Sequence, residues 1–80
     1  MTVKEAVAKR IVQLCKQKGI APNELGHISG LNPSTIYSIL GTKSKSPEIA
    51  TIKKICDGLE ITLGEFFSTE EFDRLEQEIR

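Results

Sequence analysis

The segment GIAPNELGHISGLNPSTIYSILG contains two proline-led helix starts on either side of one tight turn. Proline is favoured at the first helical position, because its missing N–H would have no partner there. We therefore expect short helices from Pro22 to about Ser29 and from Pro33 to about Leu40. Gly26, inside the first, is expected to permit close approach of another helix, because glycine otherwise weakens a helix. Gly30 ends this helix and Leu31 fills the turn, a pattern typical of two short helices packed together.

The helix from Pro33 to about Leu40 is expected to have two chemically different sides. Positions three and four apart share a face, so the inward side is apolar and consists of Ile36, Ile39 and Leu40. The outward side is small and polar and consists of Ser34, Tyr37 and Ser38. Asn32 is the expected N-cap. This polar edge favours close approach to a partner; the alternative is that it only caps a helix in a small bundle.

The chain begins with a capping box, in which two side chains bond the free N–H groups of a helix start. Thr2 and Glu5 have the required spacing and predict a helix over about residues 3–18. Its apolar face consists of Val7, Ile11 and Leu14. In the next helix we expect Leu25 and Ile28 to face inward.

Two more helices are expected after a polar, basic loop. Ser46-Pro47-Glu48 opens the first, whose apolar side consists of Ile49, Ile52, Ile55, Cys56 and Leu59. Thr62 and Glu65 form a second capping box before a short helix that carries Leu63, Phe66 and Phe67. No segment alternates with the period of a β-strand, so the fold class expected is all-α.

The C-terminal segment predicts a sixth, amphipathic helix over residues 68–80. Ser68 and Glu71 match a third capping box. The apolar stripe that follows consists of Phe72, Leu75 and Ile79. Residues 1–67 would then form the domain, and the stripe would pack either on that domain or on a second copy of the chain.

The composition of these 80 residues argues against several classes of protein. No apolar run approaches the roughly 20 residues of a membrane span, and the charged N-terminus lacks a signal-peptide core, so we expect a cytoplasmic protein without membrane contact. Cys15 and Cys56 are far apart in sequence, and His27 is the one histidine. We therefore expect buried reduced thiols, a histidine at the surface or boundary of a helix, no metal site, no cofactor and no catalytic residues.

The formal net charge of zero hides a division along the chain. Residues 1–58 carry nine basic and four acidic side chains, whereas residues 59–80 carry two basic and seven acidic ones. A body of +5 beside a tail of −5 fits a polyanion-binding face on one side of the molecule. The alternative is chance solvation of the surface.

From about Ile11 to Phe67 the sequence resembles the Cro/CI-type (XRE) helix–turn–helix regulators. The matching positions are Gly19-Ile20, Glu24-Leu25, Gly30-Leu31, Ser34-Thr35-Ile36, Ile39, Pro47 and the closing LEITLGEFF. The resemblance implies a five-helix, lambda-repressor-like domain whose third helix enters the major groove while the second braces the DNA backbone. Double-stranded DNA is then the expected partner, and regulation of transcription is the expected role.

The resemblance also implies two sets of DNA-contacting residues. The groove-facing set, called the groove face below, consists of Asn32, Pro33, Ser34, Thr35, Tyr37 and Ser38. The phosphate-contacting set consists of Pro22, Asn23, Gly41, Thr42, Lys43, Ser44 and Lys45. Because such DNA readers often act as two-fold dimers, the apolar stripe of the tail favours a homodimer, with packing on the domain as the alternative.

The chain departs from the family at two positions that usually contact DNA. Many members begin the second helix with Ser or Thr and then Gln, where this chain has Ala21-Pro22, and many place Gln, Arg or Lys where it has Pro33. Asn32 alone could make a strong base contact, and an N-cap is usually occupied by its own helix. We therefore expect weak or shape-dependent readout, with Lys43 and Lys45 supplying non-specific affinity.

A protein-interaction module is the second hypothesis. An antitoxin-like adaptor could keep the fold without strong DNA readout, and the neutral charge, Pro22 and the weak edge of the third helix favour it. In that case Tyr37 would be an aromatic anchor for a protein partner, and binding would be insensitive to salt.

Overall fold

The computed structural model describes residues 1–41 and 46–79, where the regular structure consists of six helices without a strand. The helices are α1 (Val3–Lys18), α2 (Pro22–Ile28), α3 (Pro33–Leu40), α4 (Ile49–Leu59), α5 (Leu63–Phe67) and α6 (Glu70–Asp73). The all-α class, with five helices and a short sixth, is confirmed. In this part of the chain no helix is long and apolar enough to cross a membrane, and no three His, Cys, Asp or Glu side chains cluster as metal ligands.

Two of the three expected capping boxes are formed. The hydroxyls of Thr2 and Thr62 accept the backbone N–H groups of Glu5 and Glu65 at 3.1 and 3.0 Å. Each glutamate carboxylate in turn accepts the backbone N–H of its threonine, at 3.1 and 3.0 Å. The bond from the backbone of Thr2, followed by that from its side chain, favours the charged carboxylate and lowers the pKa of Glu5.

One apolar core joins the first five helices. Its most deeply buried large side chains are those of Ile11, Leu25, Ile36, Ile55, Cys56 and Phe66. Cys15 and Cys56 are free thiols within this core, and burial raises the pKa of each. Both thiols are buried, as expected, and His27 is exposed as expected.

Two isoleucines that were expected to face inward are exposed instead. Ile28 is 46% exposed and Ile49 is 62% exposed. The buried residues of α2 are Leu25 and Gly26, and its C-cap Ser29 is buried as well. The side of this segment that faces the core therefore passes through Leu25, Gly26 and Ser29, and Ile28 lies outside it. In α4 burial begins only at Ile52, so the first turn, with Ile49, lies at the edge of the core.

The tail forms one helical turn rather than the amphipathic helix expected over residues 68–80. The helix α6 covers Glu70–Asp73, and its N-cap Thr69 makes no capping bond through its side chain. The hydroxyl of Ser68 donates to the carbonyl oxygen of Glu65 at 3.1 Å. The third capping box is therefore wrong, because this serine bonds the end of α5 and not the start of α6.

The apolar stripe of the tail is divided between the domain and the solvent. The ring of Phe72 lies with its centroid 4.9 Å from that of Phe67 and 6.2 Å from that of Phe66. Leu75 is half-buried, and Ile79 is 84% exposed. A short helix depends on tertiary contacts for its stability. The helix α6 stays short because its aromatic contact with the domain is made by Phe72, against Phe66 and Phe67. Phe72 belongs to the packing of the domain.

The end of α4 leads to a prediction about stability. Glu60 has a left-handed backbone, with φ of 59°, where Gly19 and Gly30 have 68° and 67°. A side chain in this region costs about 1–2 kcal/mol, and glycine is the preferred residue just after a helix. We expect Glu60→Gly to raise the free energy of unfolding, measured in urea, by about 0.5–1 kcal/mol. The increase is smaller than the strain that is relieved, because glycine also gives the unfolded chain more conformational freedom. Gly19→Ala is the matched control and should lower it; a less stable Glu60→Gly protein would contradict the prediction.

Candidate nucleic-acid interface

The helices α2 and α3 pack together across the turn at residues 29–32. The backbone N–H of Leu31 donates to the carbonyl of Gly26 at 2.9 Å, and Gly30 supplies the left-handed angle of the turn. A methyl group at Gly26 would lie 3.0 Å from the Cα atom of Pro33. The expected close approach at Gly26 is thus confirmed, and the arrangement is a helix–turn–helix.

The inner side of α3 is fixed to the rest of the domain. Ile36 and Ile39 are buried and Leu40 is half-buried. The ammonium group of Lys4, in α1, donates to the carbonyl oxygens of Ile39, at 3.3 Å, and of Gly41. A cation at this end of α3 also complements the helix dipole. Sequence reasoning missed this contact, because Lys4 and Ile39 are 35 residues apart and no local pattern links them.

The groove face lies on the outer side of α3. Tyr37 is 53% exposed. The other exposed members are Asn32, Ser34 and Ser38, and the half-buried ones are Pro33 and Thr35. None of the six residues is part of the core, so the structure leaves the whole set at the surface beside the helix–turn–helix turn.

The start of α3 is held by a pair of hydrogen bonds between two groove-face residues. The Oδ1 atom of Asn32 accepts the backbone N–H of Ser34 at 3.0 Å. It also accepts the hydroxyl of Ser34 at 3.0 Å. The first bond is the expected N-cap, and together the two bonds fix the positions of both side chains.

The expected phosphate-contacting residues are described in part. Pro22 is half-buried at the start of α2, and Asn23 is exposed beside it. Gly41 is the half-buried C-cap of α3, and its N–H donates to the carbonyls of Tyr37 and Ser38 at 3.0 and 3.2 Å. The remaining members, which lie outside the described residues, are Thr42, Lys43, Ser44 and Lys45.

Formal positive charge is scarce on the described part of this surface. No lysine or arginine occurs in the groove face or at Pro22, Asn23 and Gly41. Three basic side chains of the +5 body, Lys4, Lys9 and Arg10, bond other parts of the domain, and Lys53 pairs with Asp57 in its own helix. Two further lysines, Lys43 and Lys45, follow α3 in the sequence and lie outside the described residues.

Comparisons with known proteins agree with this geometry. Residues 10–71 match the model of the Cro/C1-type HTH DNA-binding domain. The chain is also similar to a solved structure described as "Crystal structure of the prophage Lp1 protein 11", with 31% sequence identity, a TM-score of 0.82 and coverage of 92% of this chain and 97% of that one. No curated protein matches the chain. The chain belongs to the Cro/C1-type helix–turn–helix family of DNA-binding regulators.

Proposed function

We propose that the protein is a cytoplasmic transcription regulator that places α3 in the major groove and reads bases weakly. The observation that carries the proposal is the division of α3 into two sides. Ile36 and Ile39 anchor it to the core, while Ser34, Tyr37 and Ser38 face outward. In helix–turn–helix proteins the N-terminal residues of the recognition helix contact base edges, and here those residues are exposed.

Weak readout follows from the chemistry of the groove face. The strongest discrimination between bases comes from Arg or Lys bonded to guanine and from Asn or Gln bonded to adenine. Of these four residue types the groove face contains only Asn32, and its amide oxygen already caps α3. Much of the affinity would therefore come from phosphate contacts, which carry no sequence information.

A homodimer on two half-sites is part of the proposal. Two-fold dimers place their recognition helices about one DNA turn apart. Ile79 is 84% exposed and is available to a second copy, whereas the Phe72 ring is used inside the domain.

A protein-binding adaptor is the second candidate, favoured by one observation on the same surface. The ring of Tyr37 is 53% exposed on a face without formal charge. Exposed aromatic side chains are common anchors in protein interfaces. Binding through such a face would depend little on salt, which separates it from DNA binding.

The salt dependence of DNA binding tests the proposed function. In a Lys43→Ala/Lys45→Ala double variant, the slope of log affinity against log salt should fall by about two units, one for each lost phosphate contact. The loss should be the same for all sequences, because phosphate contacts do not read bases. Fluorescence anisotropy with labelled mixed-sequence duplexes over a range of salt concentrations measures both effects.

The matched control removes a lysine from the acidic side of the molecule. The ammonium of Lys9 lies 3.3 Å from a carboxylate oxygen of Glu71 in the tail. Lys9→Ala lowers the net charge by one without touching the proposed surface, so the salt slope should stay unchanged. An unchanged slope in the double variant would contradict the docking surface, and binding insensitive to salt would favour the protein-binding adaptor.

A further inference from the structure

We propose that Asn32 and Ser34 act as one unit that reads the major-groove edge of adenine. Asn32 supplies the hydrogen-bond donor of this unit and Ser34 supplies the acceptor. The inference rests on the proposed function, because it requires the start of α3 to lie in the major groove.

The directions of the two bonds at Asn32 follow from the atoms involved. The backbone N–H of Ser34 can only donate, so the Asn32 atom 3.0 Å away is the amide oxygen and not the amide nitrogen. A carbonyl oxygen carries no hydrogen, so the proton in the second bond comes from the Ser34 hydroxyl. With both bonds made, Asn32 retains its NH₂ donor, and the Ser34 oxygen retains an acceptor lone pair.

A neighbouring donor and acceptor match adenine better than any other base. Adenine presents the N7 acceptor next to the N6 amino donor. Guanine presents two acceptors, N7 and O6, and the Ser34 oxygen would face one of them without a proton to donate. Thymine offers only the O4 acceptor and cytosine only the N4 donor, so each of these can make one of the two bonds.

The unit is exposed and already held in position. Both side chains are exposed at the start of α3. Between them Pro33 has a fixed φ and lies against α2, where a methyl group at Gly26 would be 3.0 Å from its Cα atom. Side chains that are held before binding lose less conformational freedom on binding. Adenine is therefore recognised by a pair of positioned side chains, and this recognition does not depend on the charge of the helix end.

The test begins with selection of bound duplexes from a pool of random sequences by the complete protein. The selected sites should contain a fixed A·T pair. Replacing that adenine with 7-deazaadenine, which has C–H in place of N7, should weaken binding about tenfold, the loss expected from one good base contact. Asn32→Asp keeps a capping oxygen but its carboxylate has no proton to donate, so it should bind both duplexes equally.

Ser34→Ala provides the corresponding test of the acceptor. This variant keeps the backbone N–H that caps α3 and loses only the hydroxyl. Replacing the adenine with purine, which lacks the N6 amino group, should weaken wild-type binding by a similar factor and should not weaken binding by Ser34→Ala. The two base analogues therefore assign the donor and the acceptor separately.

The outcomes separate this inference from the proposed function. Selection of adenine, with sensitivity to each analogue that disappears in the matching variant, supports the pair as the reader. Binding without a fixed adenine, or an Asn32→Asp protein that still binds the adenine duplex more tightly than the 7-deazaadenine duplex, overturns the inference and leaves DNA binding intact. Failure to bind any duplex, even at low salt, overturns the proposed function and this inference together.

Discussion

The Phe66→Ala protein is expected to be less stable than the wild type by about 3–5 kcal/mol, the usual cost of removing a buried ring. Phe66 is fully buried and places α5 against the core. Its ring centroid lies 4.9 Å from that of Phe67 in an edge-to-face arrangement, and 6.2 Å from that of Phe72. Proteins gain roughly 0.05–0.15 kcal/mol of stability for each residue, so the loss would be a large part of the total for a chain this short. Urea denaturation followed by circular dichroism measures it.

Phe67→Ala is the matched control for this prediction. It deletes the same ring at the next position, where the side chain is only half-buried. Because the loss grows with the apolar area that is removed from water, Phe67→Ala should cost clearly less. Equal losses from the two variants would contradict the role of Phe66 as the central ring of the aromatic group.

Arg10→Ala is expected to lower the free energy of unfolding by about 2 kcal/mol, since bonds made by charged donors contribute about 1.5–3 kcal/mol each and this side chain is partly exposed. The guanidinium Nε donates to the carbonyl of Phe66 at 2.7 Å, and Nη2 donates to that of Glu65 at 2.8 Å. These carbonyls lie at the end of α5, where a positive charge also complements the helix dipole.

Arg10→Lys separates the charge from the shape of the guanidinium group. Lysine keeps the positive charge, but a single ammonium cannot reproduce the planar fork that bonds two carbonyls. The lysine variant should recover less than half of the stability that Arg10→Ala loses, by the same denaturation measurement. A lysine variant as stable as the wild type would show that charge alone holds the end of α5.

The helix starts were predictable from sequence because their causes are local. Capping boxes at Thr2 and Thr62 and the prolines Pro22 and Pro33 act within one turn of the backbone. The structure has helices beginning at Val3, Pro22, Pro33 and Leu63. A short sequence pattern is enough where every partner lies within three residues.

Contacts between distant parts of the chain were not predictable in this way. Lys4 and Arg10 bond carbonyls 35 to 56 residues away. A methyl group at Gly58 would lie 2.6 Å from the Ser29 hydroxyl oxygen, so α4 crosses α2 closely at a point that no sequence pattern marked. The helix predicted for the tail was wrong for a related reason. The length of α6 depends on which apolar residues pack against the domain and not on their spacing.

The candidate site, too, was predictable from sequence only in part. The spacing of Ser34, Tyr37 and Ser38 was sufficient to predict an outward polar side of α3. The N-cap bond of Asn32 was expected from sequence, but the second bond, from the Ser34 hydroxyl, was not evident from spacing, although the two bonds decide which atoms of Asn32 are left for a partner. The N-cap residue that was expected to be occupied by its own helix uses only its amide oxygen there and retains its NH₂ donor.

The most direct test of the account is an amide chemical-shift titration of the isotope-labelled protein with a mixed-sequence DNA duplex, at low and then moderate salt. The proposed function predicts shifts confined to Asn23 and to residues 32–38 and 41–45 that fade as salt is added, because this surface meets the groove and the phosphates. An absence of shifts at low salt, or shifts centred on α1 and α6, would contradict it.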